Sequence, residues 1–587
     1  MSWRDWKYAL VQFNPVPGAL EHNASRIIAL GRAARDLGAD VVIFPETALP
    51  GYCIADLHKD MSFVRRNRRI LEETLAPALA DVVTVLGYID VDDVRRMADG
   101  LPARRNRYAV CQGGRVLATG TKTLLVDDGV LEDSRHYLPG DPDEVRPVEV
   151  VCGGRRLRIG VLICQDLWDD EAQVKPALLQ RDRGAEILVA INSSPFHVGR
   201  LADRRAVAAA RVRETGLPLL YANTVGAQDN GKNIILFDGG GFALGPDGGL
   251  LAQGPLFDET PVLFDPAAPA TSIPPLEPVD ELHRALVMGI ADFYVKTGVF
   301  RGAVIGLSGG IDSTVDAALL VEALGADRVL GVNMPSRFNS DITRGIAADL
   351  AGNLGIEYLV HPIQEIVDAK VAAWRRATGS DLASLTLENI QARERGNILM
   401  TASQERRFMV VGNGNKTEFQ RGYATLYGDI VGALMPLGDV HKLDVYRLGR
   451  HLNGLLDGAI PEAVFGIKAS AELSDAQDVS RGGGDPFDYH VEAPLGVELV
   501  ERGRSPEELA ALFQARELDP LLWVRDGTGR LVYDKLTPEA FRDAALATLR
   551  AIRSSVFKRV QAPPILVVSP RAFGFDFREA LLVRDRC

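Results

Sequence analysis

Ala303 to Asp316 reads AVIGLSGGIDSTVD, and this run decides the fold of the second half of the chain. An apolar strand empties into Ser308, Gly309, Gly310, Ile311, Asp312 and Ser313, and an apolar helical repeat follows. Two glycines let the backbone curl until successive N–H groups face one point. The serines add hydroxyl donors, and the start of the helix presents its positive end to an anion. The loop is expected to cradle phosphate, with Asp312 holding a magnesium ion. A Walker loop would end in Gly-Lys-Ser or Gly-Lys-Thr, and this one does not.

Working outward, an amphipathic helix (Glu281–Gly298) precedes this strand. The runs RVLGVNM, IEYLVHP and RRFMVVGN follow it in a strand-helix-strand rhythm. That pattern predicts a doubly wound parallel sheet over 281–587, with ligands beyond the carboxyl ends of its strands. NMPSRFNSD (Asn333–Asp341) offers Ser336 and Arg337 at one such end. VVGNGNKTEFQRGYATLYGD (Val410–Asp429) offers Asn413 and Glu418 at another. Glu418 and Asp312 together supply two hard oxygen ligands of the kind magnesium uses. Lys442, Lys558 and Arg559 are candidate phosphate clamps.

Upstream, Asp265–Asp280 (DPAAPATSIPPLEPVD) is too proline-rich for a helix or a central strand and reads as the linker, 265–280, between two domains. Before it, residues 1–264 are strand-dominated, with ALVQF, DVVIF, VVTVLGYI, LRIGVLI, EILVAI and LPLLYAN separated by helical stretches. A hairpin is expected over Phe237–Gly254, turning at Pro246-Asp247-Gly248-Gly249. Three polar residues fall just beyond apolar runs: Glu46, Lys122 and Cys164. A thiol attacking an amide needs a base for its proton, a cation for the developing oxyanion and a base to activate water. Glu46 can serve as both bases and Lys122 as the cation, and a lysine beside Cys164 is expected to raise thiolate availability.

Composition narrows the class. The 587 residues, 47% hydrophobic and 25% charged, suit a soluble protein of two large domains. A net charge of −12 argues against nonspecific nucleic-acid or membrane surfaces, so phosphate must be neutralised locally. No run approaches a membrane span, and the N-terminus lacks an apolar signal core. Cys53, Cys111, Cys152, Cys164 and Cys587 are an odd set without paired spacing, expected to be reduced thiols of a cytoplasmic protein, and the histidines show no ligand clustering.

The motifs carry resemblances. FPETALPGY around Glu46, GTKTLL around Lys122 and GVLICQDLW around Cys164 resemble the nitrilase superfamily, whose triad is Glu, Lys, Cys in that order. RHYLPGD, INSSPFHVGR and YANTVGAQD extend the match. The resemblance implies an αββα sandwich, Ser194 and Arg200 as glutamine contacts, and the Gln165 backbone N–H as an oxyanion donor. Two departures stand out: Gln165 follows the cysteine where the family has Glu, and the family's second glutamate is replaced by Asp133. The shorter carboxylate is expected to orient Lys122 less tightly.

The second half resembles the ATP-pyrophosphatase enzymes through SGGIDS. It resembles NAD synthetases through MPSRFNSD, ENIQARERGN, GNGNKTE, GYATLYGD, KASAELSDAQD and FKRVQAPP in order. That likeness implies ATP binding by Ser308–Ser313, Ser336, Arg337, Asn413, Lys442 and Ser470. It also implies deamido-NAD binding by Glu388, Asn389, Arg393 and Lys558. The segment VSRGGGDPFDYH after Asp478 departs from the family and is expected to close differently over substrate. The fusion resembles the glutamine-dependent NAD synthetase family. This implies L-glutamine, ATP and deamido-NAD as substrates, Mg2+ as cofactor, an internal route for ammonia, and a homo-oligomer with paired synthetase domains, as large as an octamer. Two alternatives stay open: another adenylate-forming amidotransferase, GMP-synthetase-like, and an ammonia-only or nucleotide-sensing protein whose glutaminase half has decayed.

Overall fold

The computed structural model describes residues 2–129, 131–271, 273–523, 532–574 and 576–582. Cys587 lies outside them. The chain divides into two units, Met1–Glu277 and Pro278–Cys587, each taken by itself below.

In the first unit, β1 (Tyr8–Leu10), β2 (Val41–Ile43) and β3 (Val83–Arg96) run parallel, continuing antiparallel into β4 (Pro102–Gln112) and β5 (Arg115–Thr121). The second sheet starts from β6 (Val148–Cys152) and β7 (Arg155–Ile163), then β8 (Ile187–Asn192) and β9 (Leu219–Asn223), with β7, β8 and β9 parallel. A hairpin of β10 (Val225–Asp229) and β11 (Ile234–Asp238) follows. The expected hairpin over Phe237–Gly254 forms from β12 (Phe242–Leu244), which joins the second sheet beside β9, and β13 (Leu250–Gln253). Finally β14 (Val262–Phe264) returns to the first sheet beside β1.

Alternation assigns each face. Tyr8, Leu10, Val41, Ile43, Val161, Ile163, Val189 and Ile191 meet in one core between the two sheets. Their neighbours Ala9, Val42 and Leu86 turn outward onto the helix Leu20–Asp36, and Leu188 and Ala190 onto the helices Pro176–Asp182 and Arg200–Thr215. Both faces of the central strands are covered, which is why they read as unbroken apolar runs rather than alternating ones. The architecture is the expected αββα sandwich, helices outside and sheets inside.

The second unit opens with the helix Pro278–Thr297, three residues inside the span read as linker, because proline's fixed φ suits a first helical turn. Its sheet is four parallel strands in the order β17-β16-β15-β18: β15 (Ala303–Gly306), β16 (Val329–Asn333), β17 (Glu357–Val360) and β18 (Met409–Val411). Val304, Leu330, Val332 and Val410 pack one face against Ile363, Val367 and Leu399. The order reverses between β15 and β18, so the loops after these strands border the crevice where a doubly wound sheet binds its ligand.

One glycine ties the sandwich to its strand-end chemistry. A Cβ on Gly87 of β3 would lie 2.1 Å from the Thr47 backbone nitrogen and 2.6 Å from the Glu46 Cα. These are main-chain atoms that cannot swing aside. Gly87→Ala is expected to cost about 1–3 kcal/mol as overpacking, read as a fall of several degrees in the unfolding midpoint of the first unit. An unchanged midpoint would show that the Pro45–Thr47 turn yields freely.

Candidate functional sites

Glu46, Lys122 and Cys164 lie just beyond the ends of β2, β5 and β7, all three buried. Lys122 Nζ donates to Glu46 Oε1 at 2.8 Å and pairs with Asp133 Oδ2 at 2.7 Å. Asn106 Nδ2 donates to the same Glu46 oxygen at 2.7 Å, while the Ser193 N–H donates to Oε2 at 2.9 Å. Asp133 is fixed in turn by the Tyr52 hydroxyl, 2.8 Å from Oδ1. The expectation of a loosely held lysine is therefore overturned. The short helix Asp133–His136 carries its first residue inward far enough for an aspartate to reach.

Cys164 occupies a strained position, φ +46°, at the turn from β7 into the short helix Cys164–Leu167. A non-glycine residue persists in that region only where its surroundings impose it. Burial pushes the thiol up to about 12, and the carboxylates Glu46 and Asp133 push the same way against the pull of Lys122. The expected gain in thiolate from Lys122 is outweighed, first by burial and then by the two carboxylates that face the one ammonium. Of the two residues carried over as glutamine contacts, Arg200 has its guanidinium 4.5 Å over the Trp168 ring, beside the Cys164 turn. The Ser194 hydroxyl already accepts from Arg204 Nε at 3.0 Å, and Arg204 grips Asp238 through two contacts of 2.6 and 2.8 Å. Sequence reasoning missed this buried Arg204–Asp238 pair. Gln165 turns its side-chain amide back to the Trp168 carbonyl, 3.0 Å away.

In the second unit a cleft of about 260 Å³ opens over the ends of β15 and β18. Ser308, Gly310, Ile311, Asp312, Ser313, Asn413, Glu418, Lys442 and Ser470 all line it. Gly309 holds the curl from behind: its φ is +83°, and a Cβ would sit 2.0 Å from the Thr343 carbonyl oxygen. The helix Ile311–Leu324 starts at Gly310 with no side-chain cap, so its first N–H groups are left for a ligand. Lys442 Nζ contacts Asp312 Oδ2 and lies 3.4 Å from Glu418 Oε1, and Asn415 Nδ2 donates to Asp312 Oδ1 at 2.9 Å. Burial raises Glu418 to about 8; Lys442 opposes the rise, and the Asp312 and Asp485 carboxylates add to it.

The remaining expected residues sit apart from the cleft lining. Arg337 stacks on Phe338, 4.9 Å away, and Ser336 binds Asn339 within its own turn. The Ser470 hydroxyl, though at the cleft, donates to the Gln477 carbonyl at 2.6 Å. Glu388 accepts from Ser384 on its own helix at 3.3 Å. Asn389, Arg393 and Lys558 converge on the loop after Arg421: Thr425 Oγ1 donates to Asn389, Arg393 donates to the Leu426 carbonyl, and Lys558 donates to the carbonyls of Gly422 and Ala424. The residue missed here is Arg395, which lines the cleft and donates to Met334 O at 3.1 Å and Asn339 Oδ1 at 3.0 Å. Ala392, Arg395 and Leu399 line the cleft together, and their three-and-four spacing on one helix face was the signal that could have found it.

Comparison with known proteins agrees with both halves. Residues 7–265 match the carbon-nitrogen hydrolase family and residues 283–517 the NAD synthase family. A glutamine-dependent NAD(+) synthetase of Thermotoga maritima is 32% identical, with 97% of each chain covered, and one of Synechocystis is 33% identical, again with 97% of each. The solved structure of such an enzyme from Acinetobacter baumannii, in complex with ADP, superposes with a TM-score of 0.70 at 28% identity over 98% of each chain. With two sites at strand ends and likeness along the whole chain, this protein belongs to the glutamine-dependent NAD(+) synthetases.

Proposed function

We propose a division of roles within the reaction of this family, in which ATP and ammonia taken from L-glutamine convert deamido-NAD to NAD, with glutamate, AMP and pyrophosphate as the other products. The observation that carries the first role is the buried Glu46–Lys122 contact of 2.8 Å beside Cys164. Glu46 takes the thiol proton as Sγ attacks the glutamine carboxamide, and Lys122, with the Gln165 N–H, stabilises the oxyanion. The C–N bond breaks, the proton passes from Glu46 to the departing nitrogen, and ammonia leaves a thioester. Glu46 then deprotonates water, which attacks the thioester; glutamate departs and the thiol is restored. Arg200 and Ser194 hold the amino-acid end of glutamine, a reading supported by the position of Arg200 over Trp168.

In the second unit the nicotinate carboxylate attacks the α-phosphorus of ATP and pyrophosphate leaves. Ammonia then displaces AMP from the adenylate. The Ser308–Ser313 loop cradles the phosphates. Lys442 balances charge on the leaving pyrophosphate, and Asn413, Ser336, Arg337 and Ser470 complete the ATP side. Glu388, Asn389, Arg393 and Lys558 shape the deamido-NAD side through the loop they brace. Asp312 and Glu418 fit magnesium: two hard oxygen donors, of which Glu418 is pushed up by burial, with the Asp312 and Asp485 carboxylates adding to the rise. Two carboxylates suffice because magnesium keeps water and phosphate oxygens as its other ligands. When bound, the ion would neutralise developing phosphate charge.

We also infer a cytoplasmic homo-oligomer with paired synthetase units. The thiols of Cys111, Cys152 and Cys164 suit a reducing compartment. No described helix is long and apolar enough to cross a membrane. The exposed apolar side chains Tyr427, Phe557 and Val560 supply surface that a second subunit can cover.

Three outcomes are expected. Cys164→Ala lowers glutamine-supported NAD formation by about 10³-fold or more and spares ammonia-supported formation; equal loss of both would falsify the division of labour. Asp312→Ala and Glu418→Ala abolish both routes and also the heat of magnesium binding in calorimetry, and a variant that still binds the ion normally removes that ligand from the assignment. Alkylation of Cys164 by iodoacetamide, followed by peptide mass spectrometry, reads the thiol. Because the neutral form persists until pH nears 12, the rate climbs about tenfold per pH unit from 7 to 10. A plateau below pH 8 would mean a preformed thiolate.

A further inference from the structure

Asp166 is a buried carboxylate that the reaction scheme above does not use. Its Oδ1 accepts from the N–H groups of Thr123 at 3.0 Å and Leu124 at 2.8 Å, and its Oδ2 accepts from the N–H of Ile163 at 3.1 Å. Thr123 directly follows Lys122, and Ile163 directly precedes Cys164. We propose that Asp166 is a positioning residue for glutamine hydrolysis, a single carboxylate that sets the distance between the nucleophile's turn and the strand end carrying the oxyanion-stabilising lysine. This inference rests on the roles proposed for Cys164 and Lys122.

The geometry distinguishes this bond set from ordinary fold maintenance. The ladders β4–β5 and β7–β8 hold the two strands in their own sheet positions, but the Lys122 end belongs to one sheet and the Cys164 end to the other. Asp166 bonds both. The strained φ of Cys164 needs a neighbour that fixes the turn, and the Asp166 side chain reaching back to the Ile163 N–H does so. Burial pushes this carboxyl up to about 6, while the three N–H donors and the Lys122 charge pull it down. Tyr108, Asp141 and Glu144 border the small cavity it faces. An asparagine of the same size would keep one acceptor and turn an N–H2 donor against a backbone N–H, so one of the two ends must let go.

The test is Asp166→Asn in the full-length enzyme. A shift of about 1 Å between reacting groups costs on the order of 10²-fold. The kcat for glutamine hydrolysis is therefore expected to fall about 10- to 100-fold, with KM for glutamine little changed and ammonia-supported NAD formation intact. Labelling of Cys164 by a glutamine-analogue diazoketone, which needs the assembled site, should slow in parallel, while alkylation by iodoacetamide, which needs only an accessible thiolate, should not. A normal kcat overturns the inference, as does parallel loss of diazoketone and iodoacetamide labelling, which marks a general collapse. If the asparagine variant does not fold, Asp166→Glu must show the same kcat-selective loss. Failure of both variants to fold makes Asp166 a folding residue and likewise overturns the inference. If the unmodified enzyme neither hydrolyses glutamine nor takes up the diazoketone, the glutaminase reading has failed, and this inference falls with it.

Discussion

A lysine ammonium buried between two carboxylates is the interaction on which both sites depend. Lys122 sits between Glu46 and Asp133, and Lys442 between Asp312 and Glu418. Burying an ion costs several kcal/mol, offset only when its partners and hydrogen bonds are complete. Each arrangement therefore fixes its groups in place and sets two carboxylates against one ammonium. In the first unit one of the two carboxylates, Glu46, is the base proposed for the thiol. In the second the two carboxylates are the oxygen donors proposed for magnesium. A third buried lysine, Lys416, shows the contrast: it pairs with Asp439 at 2.9 Å and Glu501 at 2.6 Å and also donates to Ser569 Oγ and the Arg571 carbonyl. It does not itself line the cleft, and it braces the helix whose third residue is Glu418.

Burial comes first in holding Cys164 toward the thiol, and the carboxylates add to it. A cation alone beside sulfur would favour thiolate, but here the first effect is burial and the second is Glu46. In the proposed roles, proton transfer to Glu46 accompanies attack, which couples the nucleophile's activation to the arrival of an electrophile. A resting thiol is also protected from adventitious oxidation, since the thiolate is the reactive form. The strained turn and the Gly87 contact beneath the Glu46 turn serve the same end by holding donor and acceptor at fixed positions.

Much of this was legible in the order of residues. Strands buried on both faces announce themselves as apolar runs, and the polar residue that follows each run marks a strand end. Glu46, Cys164 and the Ser308–Ser313 loop were found in that way. Asp133 came from the motif resemblance, but its firm hold on Lys122 did not, because it arrives from a short helix whose inward direction depends on Tyr52 rather than on local pattern. The expectation of easy thiolate formation is outweighed for a similar reason: burial, and after it charge balance, are properties of the assembled pocket. In the helix Ser384–Arg406, Glu388, Asn389 and Arg393 were singled out by motif, yet Asn389 and Arg393 bind the neighbouring loop, and the charged residue of this helix that lines the cleft is Arg395, two positions on. Motif position names a helix; only its packing says which face meets the ligand.

The claim on which the account stands is that nitrogen released beside Cys164 is the nitrogen consumed beside Asp312. Supplying amide-15N glutamine together with an excess of unlabelled ammonium, and reading the carboxamide nitrogen of the NAD formed by mass spectrometry, tests it directly. The account predicts NAD that carries predominantly the label. NAD labelled only in proportion to the mixed ammonia pool would contradict it.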